Sequence, residues 1–194
     1  MKIKLLLLIT SVCMINITTS QNDKLPYYEI PETSESYTAG TVVARMIDGL
    51  GFRYHWASEG LRAEDLAFKP SEDGRTTGDT VDHILGLTNV ILNSALKKDN
   101  EDVNTKGMTF EEKRSKTLTM LKQAADIFRT TQDLSQFKIV FNRGGQRSEY
   151  PFWNQINGPI ADALWHCGQV ITHRRTSGNP YNSKASVFTG TVRQ

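Results

Sequence analysis

The stretch Ile160–Arg175, IADALWHCGQVITHRR, decides how this chain is read. Placed on a helical wheel at about 100° per residue, Ile160, Ala163, Leu164, Cys167, Val170 and Ile171 form one apolar stripe, while Asp162, His166, Gln169 and His173 fall on a polar face. That pattern predicts an amphipathic helix packed by one side into a core. Adjacent helical residues point in different directions, so Cys167 and His166 do not face each other. Cys167 therefore reads as a small core residue rather than a nucleophile. Upstream, Asn157-Gly158-Pro159 offers a cap and an early-helix proline, which places the start of the helix there. Downstream, Arg174-Arg175 pairs favourably with the negative helix end, and could also attract an anionic ligand.

Three further helices precede this one. From Thr41, Val43, Ile47, Leu50, Tyr54 and Ala57 recur by threes and fours, and Gly60 is a stop. His55 falls opposite that stripe and reads as exposed. RAEDLAFKPSEDGR reads as a loop, because Pro70 and Gly74 cannot continue a helix. A second helix begins near Thr76, where Asp79 completes an approximate capping box, and its run TVDHILGLTNVILNSAL is apolar round most of its circumference, hence central. Residues 98–108 are a charged connection. Thr109 with Glu112 caps a third helix whose buried face carries Leu118, Leu121, Ala125 and Phe128 and which ends by about Thr131. Between Asp133 and Pro151, alternating β-branched and aromatic residues flank Gly144-Gly145, which predicts a short hairpin excursion. The expected fold is all-α: a four-helix bundle over residues 39–176 with a long third connection containing that excursion. An extended arm, residues 21–38, precedes it, pinned by Tyr27, Tyr28 and Ile30, and an irregular tail, residues 177–194, follows.

The first 20 residues read differently. Lys2 and Lys4 precede the apolar run Leu5–Ile15, and small residues at Thr18 and Ser20 suit cleavage before Gln21, so residues 1–20 are expected to be an export signal peptide. The run is shorter than the roughly 20 residues a membrane span needs. A lipid anchor on Cys13 is disfavoured because Val12 stands where a small residue is wanted. Export to the periplasm or the extracellular space follows, with no stable membrane span after cleavage. Cleavage removes two lysines and no acid, taking the formal charge from +2 to zero. A neutral chain lacks the basic surface that nucleic-acid binding requires. It also leaves Cys167 as the one thiol, which is buried, reactive or paired between chains; no internal disulfide can form, and a homodimer is an open assembly.

Asp162 and His166, four residues apart, lie one above the other on a helix and can offer a carboxylate oxygen and an imidazole nitrogen to one ion. His83, in the early turns of the central second helix, is the candidate third ligand. Two imidazoles and a carboxylate suit Zn²⁺, Ni²⁺, Fe²⁺ or Mn²⁺ and leave a coordination position open. The competing reading makes Asp162 and His166 a solvated face and His83 a core histidine bonded to a carbonyl. Residue chemistry leaves the two level. His173 is about two turns, roughly 10 Å, beyond His166, too far for the same ion but able to meet a substrate, as are Gln169 and Trp165.

The segments GLRAEDLAFKPSEDGRTTGDTVDHILGL and ADALWHCGQVITHRR together resemble the DinB/YfiT-like superfamily of four-helix bundles, over roughly residues 40–176. The resemblance implies a metal site in which His83 matches the second-helix histidine and His166-Cys-Gly-Gln169 matches the last ligand in its setting. Asp162 stands where many members have histidine; the related mycothiol-dependent maleylpyruvate isomerase branch has a glutamate there, so a carboxylate is compatible with metal. The family includes thiol-dependent transferases and isomerases and many members called metal-dependent hydrolases without a known substrate, and it does not imply DNA binding.

Two functions are therefore expected. One is an exported metalloenzyme, a hydrolase or thiol-dependent transferase acting on an unknown small molecule, with catalytic residues beyond the ligands unassigned. Export weakens the transferase form, because low-molecular-weight thiols are mainly cytoplasmic. The other is a non-enzymatic bundle with a degenerate metal site that binds a ligand or partner, with Tyr150, Trp153 and Trp165 lining a pocket or merely packing.

Overall fold

The computed structural model describes residues 25–194. The export signal read at residues 1–20 and the first four residues of the arm lie outside the described residues. Among the described residues helices make up about half and strands very little, so the fold is predominantly α.

Helix α1 (Ala39–Ser58) starts at Thr38, whose hydroxyl accepts the N–H of Thr41 while the Thr41 hydroxyl accepts the N–H of Thr38. Such reciprocal capping satisfies two of the donors that a helix start leaves orphaned. The same device, Thr76 with Asp79 and Thr109 with Glu112, opens α3 (Thr77–Ala95) and α4 (Phe110–Arg129) where the sequence places it. Between α1 and α3, the segment read as loop contains a short helix, α2 (Ala63–Ala67). It exists because Asp65, fully buried, accepts the N–H and guanidinium of Arg62 together with Ser177 Oγ and Asn179 Nδ2 from the far end of the chain.

The hairpin forms as expected. Strands β1 (Ile139–Arg143) and β2 (Gln146–Tyr150) pair antiparallel, and Gly144 and Gly145 take φ of +57° and +81° in the two-residue turn between them. Both positive angles suit the twist of a tight hairpin and favour glycine.

The last helix does not start at Asn157. The chain is already helical over α5 (Trp153–Gln155), widens into a π-type turn at Ile156–Ile160, and continues as α6 (Ala161–Thr176). Pro159 sits inside that wide turn, and Gly158 before it leaves helical geometry at φ −91°, ψ −111°. Proline brings no N–H and crowds the preceding turn, so an existing helix is bent here rather than a new one begun.

The four long helices pack α1 on α4, α4 on α3, α3 on α6 and α6 on α1. Ile47, Leu50, Tyr54, Ile84, Leu85, Leu121, Phe128, Ile160 and Cys167 meet in one buried core. The arm is pinned as expected: Tyr27 is buried against α1, with its phenol donating to buried Asp48, and Ile30 donates its N–H to the Gly190 carbonyl. The tail expected to be irregular instead forms a minimal hairpin, β3 (Ala185–Ser186) with β4 (Thr191–Val192). It forms because Ala185, Val192 and Tyr181 have an apolar surface to cover, a second small core around Phe52 and Trp56. No helix among the described residues is long and apolar enough to cross a membrane.

Candidate metal centre

The packing of α3 on α6 brings His83, Asp162 and His166 together, with one ligand-type atom from each lying within 4.8 Å of the others. His83 Nε2 is 3.3 Å from Asp162 Oδ2, and His166 Nε2 is 3.2 Å from Asp162 Oδ1. The two imidazole rings stand nearly perpendicular, 89° apart, with centroids at 4.7 Å. Ligands held at about 2.0–2.2 Å around a tetrahedral ion are separated by roughly 3.4 Å, so both carboxylate–imidazole spacings suit one shared ion.

Each element places its residue for a physical reason. Ala163, Cys167 and Val170 anchor α6 in the core, which turns Asp162 and His166 toward α3. The wide turn at Gly158-Pro159 sets the start of α6 so that Asp162 occupies its first turn, facing α3. The group is open on one side: the side chains of His83 and Asp162 are 37% and 38% exposed and that of His166 is 14% exposed.

Gln169, expected as a substrate contact, is instead engaged by His166: its Oε1 lies 2.7 Å from His166 Nδ1. An amide oxygen accepts only, so Nδ1 is the nitrogen that donates to Gln169, and Nε2 is the nitrogen that faces Asp162. Nε2 lies 3.2 Å from Asp162 Oδ1, a spacing that a proton or a metal cation between them can bridge. Histidine ligands usually donate their second ring N–H in this manner.

Other sequence readings are corrected. His173 does not face a substrate space: it is buried, its Nδ1 is 3.1 Å from Thr77 Oγ1, and its ring packs on Phe68. Burial holds its pKa below the ordinary histidine value. His55 is not exposed, because the N-terminal arm passes over it and the Pro26 carbonyl lies 2.9 Å from Nδ1; burial lowers its pKa too. Arg174 does not wait for an anion: it is buried, with Nη1 donating to the Trp56 and Ala57 carbonyls at the end of α1 and Nε to the Asn179 carbonyl. Trp165 stands 72% exposed on the outer face of α6, and Tyr150 and Trp153 are exposed as well, which excludes them from the core.

Cys167 is buried as read, and burial pushes its thiol up to about 12, so it stays protonated and unreactive. The buried carboxylates Asp65 and Asp48 carry no signal in hydrophobic periodicity; the spacing of Asp65 from Arg62 was the one local clue.

Compared with protein-family models, with curated proteins and with solved structures, the chain matches none.

Proposed function

We propose that this chain is an exported, DinB-like four-helix-bundle protein that holds one divalent ion through His83, Asp162 and His166 and acts on a small molecule as a metal-dependent hydrolase or transferase. The observation that carries the reading is the convergence of two imidazole nitrogens on the two oxygens of one carboxylate, with Gln169 accepting from Nδ1 of His166 and so leaving Nε2 toward that point. The closed cycle of contacts among α1, α4, α3 and α6 supports the bundle. The charged and apolar pattern at Lys2–Ile15 supports export.

Two nitrogens and one oxygen suit Zn²⁺, Ni²⁺, Fe²⁺ or Mn²⁺ better than the all-oxygen cations. Such an ion supplies Lewis acidity, which lowers the pKa of a water or thiol nucleophile. Around it, Asp162 compensates positive charge, Gln169 fixes the ring of His166, and the open side at His83 and Asp162 admits a substrate. A hydrolase is favoured over a thiol-dependent transferase by export alone.

Metal content of the untagged protein beginning at Gln21 tests this. About one ion per chain is expected after reconstitution, lost in His83→Ala and in Asp162→Ala without change in helical content, and kept in Asp162→His. A wild-type protein that takes up no divalent ion refutes the reading. Hydrolysis across a panel of small esters and amides, abolished by chelation and restored by the ion, separates an enzyme from a binding protein.

A further inference from the structure

On another face of α6 from the metal group, a groove of about 240 Å³ runs between α1, α6 and the C-terminal tail. Its floor is apolar: Cys167 at the bottom, Leu164 and Ile171 beside it, and Trp56 across from them. Gly168 keeps it open, since a Cβ placed there would meet nothing within 4 Å. Tyr181 and Val187 of the tail form the far wall.

No acidic residue lines this groove, and one cation does. Arg53 is half-buried at its edge; one guanidinium nitrogen donates to the Gly49 carbonyl at 3.0 Å, and among the described residues Arg53 forms no ion pair. Its positive charge reaches the groove floor, where it favours the thiolate of Cys167 against the larger opposing effect of burial. Outside the groove, Arg175 lies 5.3 Å from the ring centre of Tyr181 and likewise has no acidic partner among the described residues. A half-buried guanidinium beside an apolar channel is the complement of a carboxylate that carries a hydrocarbon body.

The geometry points to a binding site for a small amphiphilic carboxylate, with its carboxylate on Arg53 and its apolar body along Trp56, Leu164 and Ile171. A groove of about 240 Å³ has room for a medium-length chain. The site does not depend on metal, because Leu164, Cys167, Gly168 and Ile171 present a different face of α6 from Asp162 and His166.

Calorimetric titration of metal-free protein with octanoate and with octan-1-ol tests it. Octanoate is expected to bind at one site per chain, about tenfold or more tighter than octan-1-ol. Arg53→Gln should weaken octanoate to the level of the alcohol and leave the alcohol unchanged. Gly168→Leu, which fills the channel from a helix position with free space, should abolish both. His83→Ala should change neither, which keeps this outcome separate from the fate of the metal reading. No saturable octanoate binding at millimolar concentration overturns the proposal, as does octanoate affinity that Arg53→Gln leaves unchanged or octanoate binding that survives Gly168→Leu. Binding lost in His83→Ala but kept in Gly168→Leu would put the acid at the metal group and also overturn it. So would a change in sedimentation with Gly168→Leu when octanoate has no effect, which would give the groove to a second copy of the chain.

Discussion

His166 Nδ1 and Gln169 Oε1 lie 2.7 Å apart, and this contact decides which ring nitrogen of His166 meets Asp162. Residues three apart on a helix are neighbours, so the fixing residue costs no tertiary arrangement of its own. If it sets the tautomer and ring angle, Gln169→Ala should weaken divalent-ion affinity by about 10–100-fold while leaving the stoichiometry at saturation unchanged. Glu in its place still accepts from Nδ1–H and should restore binding. Equal affinities for wild type and Gln169→Ala, measured by competition with a chromophoric chelator, would remove Gln169 from the site.

The readings that survive from the sequence are the local ones. The caps at Thr76 and Thr109 and the Gly144-Gly145 turn each depend on a few neighbouring residues, and each forms where it is read. The pairing of Asp162 with His166 is local too, since helical spacing alone sets it. His83 is different: its distance from Asp162 exists only once α3 packs on α6. What was misread depends on distant chain. The wheel makes His55 exposed because it contains α1 alone, whereas the arm carrying Pro26 is what covers it. Likewise α2 is held by Ser177 and Asn179, more than a hundred residues away. Pro159 fits an early-helix position by sequence, and only the preceding turn of α5 shows that the helix is bent there instead.

Burial of two imidazoles makes stability depend on pH. In the folded chain His55 and His173 are held below the ordinary value by desolvation, while in the unfolded chain they titrate near 6.5. As pH falls through about 6.5, the unfolded chain therefore gains protons that the folded chain does not, and stability drops by at most ~1.4 kcal/mol per pH unit for each histidine. Asp65, held far below the usual carboxylate range chiefly by the Arg62 guanidinium, adds its loss only below about pH 4. Urea unfolding of metal-free protein should thus show a falling midpoint between pH 7 and pH 5. His173→Asn, which can keep the Thr77 hydrogen bond without the titrating ring, should remove part of that slope; an unaltered slope would assign it to other groups.

Arg174 closes the end of another helix. Helix α1 leaves carbonyls without partners at its C-terminus, and the guanidinium supplies Trp56 and Ala57 with donors at 3.1 and 3.0 Å together with a positive charge at the negative helix end. Arg174→Ala orphans both, at about 1–3 kcal/mol for each buried acceptor left unpaired, so a loss near 3 kcal/mol is expected in urea unfolding. Lysine offers a single nitrogen without the planar fork, so Arg174→Lys should recover only part of it. A loss within about 0.5 kcal/mol for Arg174→Ala would mean that water satisfies these carbonyls.

Gly51 controls whether the N-terminal arm docks. A Cβ at this position would lie 2.3 Å from the Tyr27 ring, and the ring has little freedom to withdraw, because its phenol bonds Asp48 and its backbone is held at φ +69°. Two effects of Gly51→Ala therefore oppose each other. The interior of α1 gains about 1 kcal/mol of helix propensity, while the arm loses its buried anchor, which for a large side chain is worth about 1.5–3 kcal/mol. Loss of the anchor should win, so the variant should unfold earlier than wild type and its arm should become cleavable by protease between Tyr27 and Tyr37 while α1 stays protected. Tyr27→Ala should reproduce the cleavage, because it removes the same contact from the other side. An arm as resistant as wild type in Gly51→Ala, with a higher unfolding midpoint, would show that Ile30 and its bond to Gly190 hold the arm without Tyr27.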